Sequence, residues 1–91
     1  MAISYTKTFD NIEGNASVKY YKIDFDSVTG GLIQTGLSRV ISATYDPQTS
    51  DDHGIVYINS TTASETEDDP GDVYVDGVTA NDIGRLRVVG H

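Results

Sequence analysis

The stretch Val18-Lys19-Tyr20-Tyr21-Lys22-Ile23-Asp24-Phe25-Asp26 decides the fold. Side chains of a strand alternate between two faces, so residues two apart lie together. Val18 and Tyr20 share one face; Tyr21, Ile23 and Phe25 share the other, with Asp24 and Asp26 turned outward. The apolar face changes between Tyr20 and Tyr21, which predicts a bulge or bend there. Adjacent residues of a regular strand cannot both face one core, so one tyrosine lies on the opposite surface or fills the bulge.

Upstream, Ile3-Ser4-Tyr5-Thr6-Lys7-Thr8-Phe9 alternates with Ile3, Tyr5, Lys7 and Phe9 on one face, and residues 10–15 read as a turn. Downstream, Leu32-Ile33-Gln34 reads as a short edge piece. Arg39 to Tyr45 reads as a core strand with Ile41, Ala43 and Tyr45 on one face. Ile55-Val56-Tyr57-Ile58-Asn59 is almost continuously apolar, the pattern of a strand covered on both faces. Asp72 to Asp76 and Arg85 to Val89 supply two further strands. Glycine, asparagine and aspartate punctuate these runs as turn residues do. The pattern predicts an all-β fold, a small antiparallel β-sandwich or partly open β-barrel of about 6–8 short strands.

Composition agrees. Val, Ile and Thr number 27 of the 91 residues and Leu only 3, a bias toward the pleated surface of a sheet. The length predicts one domain over residues 1–91, with no repeat or linker dividing it. Residues 1–9 form an extended arm or edge strand in this reading, and residues 60–71, rich in Glu and Asp without a basic residue, form an acidic loop. With no cysteine there is no disulfide and no thiolate metal site. Fourteen acidic residues against six basic ones leave a formal charge of -8, which argues against binding nucleic acid through its phosphates. No apolar run approaches the roughly 20 residues of a membrane helix, and the start lacks a secretory pattern. Synthesis in a cytosol is the expectation. A domain this small buries little more than about 60% of its unfolded surface, so help from a partner or from further copies is expected.

Chemistry is sparse. His53, within Asp51-Asp52-His53-Gly54, would need a serine and an orienting acid beside it to build a nucleophile, and no nucleophile elbow accompanies it. His91 stands at the last position. Asp24-x-Asp26 and Glu67-Asp68-Asp69-Pro70-Gly71-Asp72 gather oxygen ligands but lack the spacing of a calcium loop. The expectation is no catalytic residue, no metal and no cofactor. The sequons at Asn15 and Asn59 read as chance matches without a secretory segment. Candidate partner-binding residues are Ile3, Tyr5 and Phe9 on the first run, the Tyr20–Tyr21 pair, and Arg85 and Arg87, which alternate onto one face of the last run.

Three segments carry a resemblance: Thr35-Gly36-Leu37-Ser38-Arg39-Val40-Ile41-Ser42-Ala43, Gly71-Asp72-Val73-Tyr74-Val75-Asp76-Gly77, and Gly84-Arg85-Leu86-Arg87-Val88-Val89-Gly90-His91. With the long polar stretch between the first two, they cover the C-terminal two thirds of the chain. In this span the chain resembles small virion structural proteins of tailed bacteriophages. The resemblance implies a capsid decoration or cement protein on the outer surface of the virion. Its partner would be the major capsid protein, with self-association as a trimer, and neither nucleic acid nor membrane. A tail, neck or baseplate component is the structural alternative. A carbohydrate-binding sandwich that stacks sugars on Tyr57 and Tyr74 is the alternative from another class.

Overall fold

Branched and aromatic residues alternating with polar ones fold into strands, seven among the described residues: β1 (Ile3–Glu13), β2 (Ala16–Phe25), β3 (Gly30–Gln34), β4 (Val40–Pro47), β5 (Ile55–Ile58), β6 (Asp72–Asp76) and β7 (Ile83–Gly90). This computed structural model describes residues 3–13, 16–64, 66 and 68–91, with Phe9 and Glu13 described through their backbone alone. The described residues contain no helix. A four-stranded sheet has the order β1-β2-β7-β4, and a three-stranded sheet the order β3-β6-β5. Every pairing is antiparallel.

The register explains the core. In the larger sheet Tyr21 lies opposite Leu86 and Ile23 opposite Gly84, while Ala43 and Tyr45 lie opposite Val88 and Leu86. In the smaller sheet Ile33 lies opposite Val73 and Val56 opposite Val75. These rows face one another, and Ile23, Phe25, Ile33, Val73, Val75, Leu86 and Val88 are fully buried. Burying each large apolar side chain contributes about 1.5–3 kcal/mol. Phe25 and Tyr45 meet edge to face, ring centroids 5.5 Å apart. The two inner faces enclose one core, which makes the fold a small β-sandwich.

The bulge lies elsewhere than the sequence suggests. Pairing of β2 with β7 is unbroken from Ser17–Gly90 to Asp24–Ile83, so β2 is regular through Tyr20 and Tyr21. The register instead slips in β1, from Lys7 opposite Tyr21 to Phe9 opposite Tyr20, leaving Thr8 as the extra residue. A strand held by ladders on both sides resists an insertion; an edge strand with one ladder absorbs it. Hence Ile3, Tyr5 and Lys7 stay on the face of Tyr21, while the backbone of Phe9 crosses to that of Tyr20. Both tyrosines are used, one on each side of the sheet. From Ile3 onward residues 1–9 are paired edge strand rather than free arm; Met1 and Ala2 lie outside the described residues.

Two further expectations are corrected. Ile41 does not share the face of Ala43 and Tyr45: the register slips between Val40 and Ser42, and Ile41 is 57% exposed in that bulge. The apolar run Ile55–Ile58 is not covered on both faces. It forms the edge of the smaller sheet, with Ile55 and Ile58 exposed, and the covered centre is β6.

Side chains close the two seams of the sandwich. Between β1 and β3, the backbone N–H of Gln34 donates to the Tyr5 hydroxyl at 3.2 Å. Between β4 and the end of β5, Asn59 acts as a fragment of missing strand. Its Oδ1 accepts from Val40 N–H at 2.9 Å and its Nδ2 donates to the Val40 carbonyl at 2.9 Å. Oδ1 also accepts from Gly71 N–H at 3.1 Å, and Asn59 holds a left-handed φ of 54°. This buried amide is committed to backbone, which agrees with reading the Asn59 sequon as a chance match; Asn15 lies outside the described residues. The acidic loop 60–71 is tied at its root, where Ser60 N–H donates to Asp72 O and Asp69 N–H to Asn59 O.

Candidate functional site

The outward face of the four-stranded sheet follows from the same registers. Residues opposite one another on neighbouring strands share a face. Since Tyr21, Ile23, Leu86 and Val88 point into the core, Tyr20, Lys22, Asp24, Arg85, Arg87 and Val89 point away from it. One row runs Thr6, Lys22, Arg85, Asp46 across the strands; the next runs Phe9, Tyr20, Arg87, Thr44. A third joins Asn11, Val18, Val89 and Ser42.

Lys22 thus stands beside Arg85, with Arg87 two residues along on the same strand. Half of the chain's six basic residues meet there, on a molecule with a formal charge of -8. All three are exposed. The ion pairs among the described residues lie elsewhere, Lys7–Asp10 at 3.1 Å and Arg39–Asp68 at 2.8 Å. Like charges directly across an antiparallel pair repel. The cluster is therefore a small positive patch, offset in part by Asp24 and Asp46 on the same face. On the same face lie Val18, buried, and Tyr20 and Val89, half-buried.

The candidate residues from the sequence divide between the two faces. Tyr20, Arg85 and Arg87 come together on the outward face, and the backbone register carries Phe9 to the same row. The Phe9 side chain lies outside the described residues. Tyr21 is 4% exposed, meets Tyr5 edge to face at 5.8 Å, and donates its hydroxyl to Thr35 O at 3.3 Å. Ile3 packs against the core, and Tyr5 closes a seam. These three hold the two sheets together. Lys22 was legible as an i, i+2 neighbour of Tyr20, but its closeness to Arg85 depends on the pairing of β2 with β7.

The other constellations resolve into structure. Asp82 is buried at 2% exposure and accepts from the Tyr45 hydroxyl at 2.6 Å and from the Thr49 hydroxyl. Burial alone would push its carboxyl up; the hydrogen bonds from Thr49 and Tyr45 outweigh this and hold it below its ordinary value. Burial, and then Asp82 itself, push the Tyr45 phenol upward, so it stays a neutral donor. The ring of Tyr45 lies so close over Gly84 that a Cβ there would fall 2.5 Å from its ring carbons, which is why β7 carries glycine at this place. His53 is exposed, with Nδ1 3.4 Å from the carbonyl of Tyr45 and no serine hydroxyl bonded to it. Among the described residues no three His, Asp or Glu side chains gather as a metal site. Glu67, part of the acidic calcium motif, lies outside them. No ligand-sized pocket opens on the described surface, and no helix of the described residues is long and apolar enough to cross a membrane.

On the far side of the sandwich, Leu32, Tyr74 and Tyr57 form a row across β3, β6 and β5, all half-buried, with exposed Ile55 beside Tyr57. Asp72 and Asp76 flank Tyr74 on the same face. Comparison with known proteins returns no matching family model, no similar curated protein and no similar solved structure.

Proposed function

We propose that this domain is a structural protein of a tailed-phage particle, a capsid decoration or cement protein that binds the major capsid protein and acts without catalysis. Made in the host cytoplasm, it would reside on the capsid surface, self-associated as a trimer. The observation that carries a binding role is the outward face of the four-stranded sheet, where Tyr20, Lys22, Arg85 and Arg87 lie side by side. Aromatic and arginine residues dominate the energetics of protein interfaces, and a sheet face on which no pocket opens among the described residues suits another protein better than a small substrate. The phage context comes from the sequence resemblance. Quantifying this chain against the major capsid protein in purified virions tests it. Hundreds of copies per particle are expected; a dozen or fewer would move the protein to tail, neck or baseplate, and absence from particles would end the proposal.

The row Leu32–Tyr74–Tyr57 favours a second reading, a sugar-binding face in which the two tyrosines stack on a pyranose ring. Binding to an immobilised glycan panel that disappears in Tyr74→Ala, with the melting temperature retained, would support it.

A further inference from the structure

We propose that the Lys22–Arg85–Arg87 patch recognises a carboxylate-bearing protein segment, two of whose acidic side chains are spaced to meet Arg85 and Arg87 together. The inference rests on the reading that the outward sheet face binds protein, and it names the chemistry of the partner surface.

The argument is one of charge and spacing. Lys22 and Arg85 are cross-strand neighbours with no carboxylate within ion-pair distance among the described residues, although Asp46 lies opposite Arg85 and Asp24 is two residues from Lys22. The three cations repel one another and are offset only in part by Asp24 and Asp46 in the isolated chain. A partner that supplies carboxylates removes that repulsion and gains charge-assisted hydrogen bonds, two at a time for a guanidinium. Arg85 and Arg87 are two residues apart on one strand, so their backbones are separated by roughly 7 Å. Acids at i and i+2 of a strand, or at i and i+4 of a helix, match that interval.

Nucleic acid fits less well. Asp24 and Asp46 border the cations on both sides, and the whole molecule would repel a phosphate backbone extending beyond three cations. A compact acidic segment needs to touch only the patch.

The test uses the full chain, isotope-labelled, titrated at low ionic strength with a ten-residue peptide of alternating Glu and Ala. Amide shifts are expected at Tyr20, Lys22, Thr44, Arg85 and Arg87, with affinity falling about tenfold or more in Arg85→Gln/Arg87→Gln and on raising salt to physiological strength. These side chains are exposed, so the variant should keep its melting temperature, and a Lys22→Gln variant provides an independent second reading. No shifts, shifts confined to another face, or tighter binding of a short DNA duplex at this face would overturn the inference. A second arm measures binding of the chain to phage heads assembled without it. Head binding indifferent to salt and to the double substitution would overturn the acidic-partner inference and leave the capsid reading standing. Peptide binding at the patch without head binding would support the inference while overturning the capsid reading.

Discussion

At Asn59 a single side chain performs the work of a strand end. Its amide satisfies both backbone groups of Val40 and one of Gly71 in a buried place. A buried polar group left without its partner costs about 1–3 kcal/mol. Asn59→Ala should destabilise the domain by at least that range, read as a shifted denaturant midpoint with unchanged slope. Asp82 makes stability sensitive to acid. Its folded pKa lies below the ordinary 3.8, so its stabilising contribution is present above that value and drains away as pH falls through the folded one. The melting temperature should therefore fall as pH drops below about 4. Asp82→Asn should be less stable at pH 7 and flatter across the acid range; parallel curves for the two proteins would contradict this. Neither role was legible in the sequence. Asn59 sat inside a sequon and Asp82 inside a turn, and what each touches comes from residues distant along the chain.

At the scale of elements, alternation identified the strands well wherever one face met a core, as in β2, β6 and β7. It failed where an edge or a bulge intervened. Ile55–Ile58 is uniformly apolar yet lies at an edge, because an uninterrupted apolar run does not reveal which neighbours a strand has. Tyr20 and Tyr21 do face opposite sides of the sheet, but β2 carries no irregularity between them. The irregularity sits across the ladder at Thr8. Deleting Thr8 should leave a regular ladder in which Lys7 still meets Tyr21 and Phe9 still meets Tyr20. The deletion loses the hydrogen bond from the Thr8 hydroxyl to Tyr20 O, a cost of about 1 kcal/mol. An insertion between Tyr20 and Tyr21 would instead displace half of β2 against β7 and should unfold the domain. Thermal melts of both variants make the comparison.

For the molecule as a whole, composition revealed the excess of acid but not its distribution. The cationic patch exists because β2 pairs with β7, joining Lys22 to Arg85 from opposite ends of the chain. Pairing at that separation leaves no local signal, so the candidate site was legible only as separate residues. With a formal charge of -8, the fold carries net self-repulsion that dissolved ions screen. Raising sodium chloride from about 0.01 M to 0.15 M shortens the screening length from about 30 Å to 8 Å, and the melting temperature should rise. Peptide binding at the patch should weaken over the same interval. Opposite salt responses of stability and binding would separate global charge from local charge in one set of samples.

The position of β7 has a consequence for biosynthesis. The strand latest in the chain lies between β2 and β4, which emerge from the ribosome long before it. Until it arrives, each of those strands has a row of backbone donors and acceptors open to any nascent neighbour, so a pause in translation ahead of Ile83 is the moment at which this polypeptide is most prone to aggregate or to require a chaperone.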